Sequence, residues 1–316
     1  MATRNSLNTD IIDGVYEFAF ETYNNEPRVL EQIFDVKNTN KAYEYGTEFE
    51  MNAGVEEVEE GEGVTESQVV EGYTWYIAMR KLRGVISISK EAVDDGRLDI
   101  ERWGEELGQA FAREEEERAA AIFNYGALTA GHEIFNTAVV GLLADQFGQL
   151  IYDGQPFFDT AHPNTLGVNT YSNHSASLDL TEENLETVLN TVEDTNAYDN
   201  MDNRISIKAD TLLVPKGLRF TAAKILNSSL LPSVATNDIN PVQGILNPVV
   251  WRYLSDSDGW FVGAAKQGIR WYNRSPLEIE QTYDEATQTY FIYLTRRAGV
   301  GVTNWRYWYA CNVAAS

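Results

Sequence analysis

The chain has 316 residues, with 24 Lys and Arg against 48 Asp and Glu, so its formal net charge is −24. This balance disfavours tight binding of duplex nucleic acid, because Lys and Arg must displace the counterions condensed on the phosphates. The sequence contains no run of roughly 18 apolar residues and no secretory signal, so we expect neither a membrane span nor secretion. Cys311 is the only cysteine, which excludes an internal disulfide and indicates a cytosolic folding compartment.

The most acidic stretch of the chain covers residues 44–71, which contain ten Glu and no Lys or Arg. At its start, side chains that are not acidic take every second position, the period of a β-strand: Tyr43, Tyr45, Thr47, Phe49 and Met51. A glycine-punctuated stretch follows, and then a second strand-like run over residues 69–85, so the pattern predicts a hairpin. An isolated two-stranded ribbon is marginally stable in water, and like charges weaken it further. We therefore expect this hairpin to lie on another subunit.

A long helix is predicted over residues 99–125, because apolar side chains recur there at helix spacing. At 1.5 Å per residue it would be roughly 39 Å long. Trp103, Leu107 and Phe111 are interpreted as its core face rather than as a stripe between subunits. A second helix is predicted to begin at Thr181, with two glutamates in its first turn.

The second half of the chain is predicted to be mainly sheet. A strand over 205–214 ends at Pro215, and a short helix closes near Asn227. Further strand-like runs cover 249–254, 260–265, 268–272, 277–283, 290–297 and 302–312. Helices and strands mix without a regular βαβ rhythm, which predicts an α+β architecture. Bulky aromatic residues on both faces of the last strand suggest that it is buried on two sides.

No motif in the sequence nominates a catalyst, a cofactor or a metal ion. His132-Glu133 begins a zinc-protease pattern, but Asn136 stands where the second histidine is required. Residues 256–259 resemble part of a calcium loop that lacks its closing glutamate, and a hairpin turn is the simpler interpretation. Phosphate loops, dinucleotide-binding loops and serine nucleophile elbows are also missing. A glycosidase that uses two carboxylates stays open as the enzyme alternative, although we expect no enzyme.

Five segments in chain order carry a resemblance to a known family. They are residues 85–95 (VISISKEAVDD), 153–164 (DGQPFFDTAHPN), 212–215 (LLVP), 237–241 (NDINP) and 302–306 (VTNWR). Together with the long hairpin and the long helix, they resemble the major capsid proteins of tailed bacteriophages. The resemblance is to the Hong Kong 97-type fold, and especially to the branch like the Mu major head subunit.

The resemblance implies a division of the chain into named parts. These are an N-terminal arm (1–40), an extended E-loop (41–85), a P-domain (86–204) with a spine helix over 99–125, an A-domain (205–280) and a return to the P-domain (281–316). The acidic hairpin would be the E-loop.

The resemblance also implies a function and partners. Subunits of this family form hexamers and pentamers that close into an icosahedral shell around double-stranded DNA, so the expected location is the virion, with assembly in the host cytoplasm. Implied partners are other copies of the chain, a portal, and scaffold or decoration proteins. Packaged DNA would be a neighbour without specific binding, because an acidic wall lets it slide. The nearest alternative is an encapsulin-like bacterial compartment shell, which encloses an enzyme cargo instead of a genome.

Salt bridges between copies are expected from the acidic hairpin. The candidate acids are Glu56, Glu57, Glu59 and Glu60. The candidate cations are Arg80, Lys81, Arg83, Lys90, Arg113 and Arg118. The alternative is that all of these are solvated surface charges, whose exposed pairs contribute only about 0 to 1 kcal/mol each.

Overall fold

The computed structural model describes residues 4–51, 57, 63, 69–95, 99–135, 150–164, 169–230 and 239–314. The helices are α1 (Arg4–Asn25), α2 (Leu30–Ile33), α3 (Lys90–Asp94), α4 (Ile100–Asn124), α5 (Glu182–Asn190) and α6 (Arg219–Asn227). The strands are β1 (Asp35–Asn38), β2 (Tyr43–Met51), β3 (Val69–Ala78), β4 (Arg80–Ser89), β5 (His162–Pro163), β6 (Thr170–Tyr171), β7 (His174–Ser175), β8 (Thr211–Val214), β9 (Asn247–Val250), β10 (Trp260–Gly263), β11 (Ile269–Asp284), β12 (Thr289–Val302) and β13 (Trp308–Cys311). Among these residues, no helix combines the length and the apolar character needed to cross a membrane.

The predicted long helix is confirmed as α4, within one residue at each end. It begins after Asp99, whose carboxylate accepts a hydrogen bond from the backbone N–H of Arg102 at 3.3 Å and so caps the first turn. Leu107 and Phe111 are buried and Trp103 packs against the same cluster, as the interpretation of a core face requires. The helix packs against a four-stranded sheet and against α1.

The N-terminal segment is helical and packs closely on α4. Buried Val15, Ala19 and Tyr23 line the contact face of α1. The two backbones approach closely at Gly104, where an added Cβ would lie 2.9 Å from the Val15 carbonyl oxygen, and at Gly108 the clash with Ala19 would be more severe. Only glycine leaves room for this crossing. The part of α1 from Val15 to Tyr23 thus packs on its own subunit, and the division of the chain into an arm and domains stays a prediction.

A four-stranded sheet with the order β1-β11-β12-β4 supports α4. The sequence indicated two separate strands at 268–272 and 277–283, but β11 is one strand with two register shifts between Asn273 and Glu278. The prediction of two strands was wrong because Pro276 lacks a backbone N–H and interrupts the ladder without ending the strand.

The acidic hairpin is shorter than the sequence indicated. Its two strands, β2 and β3, pair with each other from Tyr43–Ala78 to Met51–Val69. Residues 80–85 were assigned to the returning arm of the hairpin, but they belong to β4, which pairs with β12 in the body of the subunit. The strand-like pattern runs on past Met79 without a Gly or Pro at that position, so the sequence carries no signal for the change of partner.

A five-stranded sheet with the order β7-β13-β10-β8-β9 is the second large sheet of the molecule. Leu213, Phe261 and Trp308 face the cluster that contains the end of α4, whereas alternate residues face the cluster under α5 and α6. The strand predicted over 302–312 is confirmed only as β13, because Trp305–Tyr307 forms a short 3-10 helix before it. All four residues of β13 are buried, so the expected burial on both sides is observed there. The strand predicted over 205–214 is confirmed only from Thr211 to Val214, because residues 205–210 join no ladder.

Candidate assembly surfaces

The base of the acidic hairpin is anchored on its own subunit. Ile77 is fully buried, and Tyr73 and Trp75 pack against the main hydrophobic cluster. The Tyr73 hydroxyl donates a hydrogen bond to the Pro163 carbonyl oxygen at 3.4 Å, and the Arg270 guanidinium lies 5.1 Å from the centre of the Trp75 ring. This part of the hairpin is therefore supported by its own subunit, and the expectation that the hairpin also lies on another subunit stays a prediction.

The other face of the same part of the hairpin is open to solvent at Tyr45, which pairs with Tyr76. The Tyr45 side chain is 57% exposed and stacks on Tyr76 at 5.9 Å between ring centroids. A hydrogen bond from the Thr39 hydroxyl lowers the pKa of Glu44, so this carboxylate stays ionised. Glu57 is exposed, whereas Glu56, Glu59 and Glu60 lie outside the described residues. Contact of these four acids with a neighbouring copy stays a prediction.

The four cations predicted on or beside β4 lie in different environments. The Arg80 guanidinium donates to the Glu133 carbonyl oxygen at 2.9 Å. The Arg83 guanidinium lies 3.8 Å from the Glu280 carboxylate and 3.7 Å from the Tyr293 ring centroid. Lys81, also on β4, is exposed, and Lys90, at the start of α3, is half-buried. These four residues form no single cluster of positive charge.

The two predicted cations on α4 pair with acids one turn away. Arg113 lies 3.9 Å from Glu117, and Arg118 lies 3.3 Å from Glu114. Exposed pairs of this spacing contribute only a few tenths of a kcal/mol, about 0.3 to 0.5. This range applies to the exposed pair of Arg113 with Glu117, whereas Arg118 is half-buried.

A buried charge network that sequence reasoning missed joins α1, α4 and β12. The Glu115 side chain is 1% exposed; the Arg28 guanidinium approaches it at 3.0 Å and the Arg296 guanidinium at 2.9 Å. The Tyr23 hydroxyl donates a third contact at 2.7 Å. Burial raises the pKa of Glu115 to about 7, and the charge of Arg28 opposes that rise. Burial also lowers the pKa of Arg296 to about 10.

The neighbouring Glu116 connects α4 by hydrogen bonds to the start of α2 and to the residue that follows β9. Its carboxylate accepts hydrogen bonds from the Leu30 backbone N–H at 3.0 Å and from the Trp251 indole N–H at 2.6 Å. Burial raises the pKa of this carboxyl as well. The sequence did carry a signal for Glu115: it lies four residues after Phe111 and four before Ala119, on the apolar face of the helix.

His162 is a buried histidine that contacts a carboxylate, an arrangement that can occur in catalytic sites. Its Nδ1 lies 2.6 Å from an Asp153 carboxylate oxygen, and its Nε2 lies 3.0 Å from the Asn173 side-chain oxygen. The ring stacks on Trp305 at 4.1 Å, and the His162 and Asp153 side chains are fully buried. With both ring nitrogens occupied and no access for a substrate, the arrangement supports the fold. Across the part of the chain that the structure describes, no group of three or more potential ligands could hold a metal ion.

The fold and the sequence both match known capsid proteins. The family model described as phage capsid protein matches residues 75–311. The capsid of Ralstonia phage GP4 has a TM-score of 0.58 at 13% identity, with 90% of this chain and 87% of that chain covered. The capsid of cyanophage P-SCSP1u has a TM-score of 0.54 at 13% identity, with 92% and 89% covered. A virus-like particle from Pyrococcus furiosus has a TM-score of 0.52 at 12% identity, with 95% and 98% covered. No curated protein matches the chain in sequence.

Proposed function

Because the chain belongs to the phage capsid protein family, we propose that its copies build the icosahedral head of a phage by laying the acidic hairpin of each copy across a neighbour. The chain is a major capsid protein with the Hong Kong 97-type fold. Its role is structural. The proposal adds the organisation of the shell: hexamers and pentamers that enclose double-stranded DNA, assembled in the host cytoplasm with a portal and with scaffold or decoration proteins.

The observation that carries the proposal is the family match over residues 75–311. The hairpin supports the assembly mode, because one face of it packs on its own subunit at Ile77 and Trp75, while Tyr45 on the opposite face and Glu57 between the two strands are exposed. A ribbon that is covered on one face gains stability when a second surface covers the other. In a closed shell of identical copies, every hairpin finds such a surface.

The charge of the chain supports a DNA container that does not bind its contents. A net charge of −24 on each copy repels the phosphate backbone, so packaged DNA would remain free to move along the wall. The proposal assigns the fully buried pair of His162 and Asp153 to the stability of the fold.

A bacterial compartment shell of the same fold is the second candidate. The observation that favours it is the similarity to the virus-like particle from Pyrococcus furiosus, whose chain is covered to 98%. The contents of purified particles separate the two functions, because a phage head contains nuclease-protected DNA and a compartment contains cargo protein.

The direct test is expression of the chain, alone and together with the proteins encoded beside it, followed by electron microscopy of negatively stained material. We expect closed icosahedral particles, with DNA protected from nuclease when the packaging proteins are present. A chain that remains monomeric in both expressions would contradict the proposal.

A further inference from the structure

A pocket of about 520 Å³ opens at the end of α4, beside the turn that precedes β10 and the residues that follow β13. Its floor is apolar, because buried Phe123, Phe261 and Val313 line it. Tyr125 and Ala314 also line the pocket and are exposed. The volume lies in the range of roughly 300 to 1,000 Å³ that is typical of binding pockets. The pocket can therefore hold a large apolar side chain of another molecule.

Three carboxylates stand at the same end of the five-stranded sheet. Asp256 lines the pocket and Asp258 belongs to the same turn. The Asn312 side-chain amide donates to Asp179 at 3.1 Å and to Asp258 at 3.2 Å, so these two acids are also neighbours. A hydrogen bond from Asp256 and its like charge raise the pKa of the Asp258 carboxyl. Within the described part of the chain, no Lys or Arg nitrogen lies within 4.0 Å of the three carboxylates, so the mouth of the pocket is negative.

The start of α6 carries the opposite pattern, an exposed ring beside exposed cations. Phe220 is 79% exposed, and the Arg219 guanidinium lies 5.9 Å from its ring centroid. Lys216, one turn earlier, is exposed as well. Among the described residues, no carboxylate oxygen lies within 4.0 Å of either cation. Aromatic residues and arginine are enriched at the centres of protein interfaces, so this surface has the composition of a contact that a partner completes.

The pocket and the start of α6 belong to opposite faces of the five-stranded sheet. Phe123 and Phe261, on the floor of the pocket, are part of the cluster at the end of α4. Ala222 and Ile225 of α6 pack in the cluster on the other face. One copy can therefore offer Phe220 to one neighbour and its pocket to another. Head-to-tail contacts of this kind close into rings when the rotation between copies permits it.

We propose that Phe220 of one copy inserts into the pocket of the next copy in a ring, with Arg219 beside Asp256 and Asp258 of that copy. The inference rests on the proposed function, since it requires rings of identical copies. It adds a contact that does not involve the acidic hairpin. Insertion removes the apolar ring from water, and the ion pairs fix the orientation in which two copies dock.

Removal of the ring tests the contact with little disturbance of the subunit. We expect Phe220→Ala to lower the yield of closed particles by about tenfold or more, because a central aromatic anchor is lost from every contact. The unassembled variant should unfold at the same guanidinium concentration as the unaltered chain, since Phe220 is 79% exposed. An unchanged particle yield from Phe220→Ala would overturn the proposal.

Exchange of the charges identifies the partners. Arg219→Asp and Asp258→Arg should each lower the particle yield, because like charges then meet in the contact, and their combination should recover most of the lost yield. Both positions are exposed, and circular dichroism shows whether each variant folds. The matched control is Lys224→Glu, at an exposed position on the same helix, which should leave the yield unchanged. A combined variant that assembles no better than either single variant would contradict the pairing.

A disulfide between copies locates the contact. Thr221 is exposed next to Phe220, and Ser255 is exposed on the lining of the pocket. Particles that carry Thr221→Cys and Ser255→Cys should form covalent multimers on mild oxidation. The native Cys311 is buried and contributes no background. The control combines Thr221→Cys with Glu186→Cys, at an exposed position of α5, and should remain monomeric under denaturing conditions.

The outcomes separate this inference from the function on which it rests. Multimers from the Ser255 variant and not from the Glu186 variant would support the contact. Intact particles that release only monomers from the Ser255 variant, including monomers with an internal disulfide, would overturn the contact and leave the capsid function standing. Failure of the unaltered chain to form any particle would contradict the function itself.

Discussion

The five-stranded sheet and the acidic hairpin are both built from short strands, but they are stabilised by different surroundings. Residues of β8, β10 and β13 are buried on both faces, between the cluster at the end of α4 and the cluster under α5 and α6. In the hairpin, Ile77 is buried, whereas Tyr45, one pair farther along the ladder, is 57% exposed. The comparison shows that one chain contains a sheet buried on both faces and a hairpin of which one described face is open to solvent.

Removing a large side chain from each region should produce the largest difference in stability between them. Trp308 is fully buried against Phe123, with ring centroids 5.1 Å apart, and its indole N–H donates to the Gln267 carbonyl oxygen. We expect Trp308→Ala to lower the free energy of unfolding by about 3 to 5 kcal/mol. Tyr45→Ala, in the hairpin, should change it by about 0.5 kcal/mol or less. Guanidinium unfolding of the unassembled subunits measures both; equal losses would contradict the division into two regions.

The buried carboxyl of Glu115 gives the core region a pH dependence. A carboxyl whose folded pKa lies above its unfolded value binds a proton more tightly in the folded state, so its contribution to stability is present below the unfolded pKa and is lost as pH rises through the folded pKa. For Glu115 that window runs from about 4.5 to about 7. We expect the free energy of unfolding to fall by on the order of 2 kcal/mol across it.

The control for this pH effect is Glu115→Gln, which keeps the shape of the side chain and removes its titration. Thermal unfolding at pH 5 and at pH 7.5 should differ less in this variant than in the unaltered chain. If the two proteins lose stability in parallel between these pH values, Glu115 is not the group responsible.

The crossing of α1 over α4 is a smaller test of the same region. Gly108→Ala places a methyl group against the Ala19 backbone, and overpacking of this kind costs about 1 to 3 kcal/mol. Alanine gains up to about 1 kcal/mol in helix propensity, so the net loss of stability should be about 1 to 2 kcal/mol. Gly63→Ala is the control in the hairpin, because nothing lies within 4 Å of the added methyl. A destabilisation by Gly63→Ala as large as that by Gly108→Ala would contradict the account.

The smallest effect on subunit stability is expected from the hairpin glutamates. We expect the change of Glu56, Glu57, Glu59 and Glu60 to lysine to alter the free energy of unfolding of the subunit by only about 0.5 kcal/mol. Particle yield should nevertheless fall strongly, because the change removes the charge that meets the cations of a neighbour. Analytical ultracentrifugation measures the yield; normal particles at normal yield would count against the hairpin contact.

Local signals in the sequence were sufficient for some elements and not for others. The bounds of α4 follow from its apolar period and from the cap at Asp99, which are properties of adjacent residues. The partners of Glu115 could not be predicted, because Arg28 and Arg296 are remote in the chain and converge only in the folded subunit. The change of strand partner at Met79 was missed for a similar reason, since pairing with β12 depends on the tertiary fold.

Hydrogen exchange of the backbone amides, compared between unassembled subunits and purified particles, tests the central claim most directly. We expect residues 44–71 to exchange much more slowly in particles, while the strands β8, β10 and β13 are equally protected in both states. If the amides of residues 44–71 exchange at the same rate before and after assembly, the hairpin does not gain its order from a neighbouring copy.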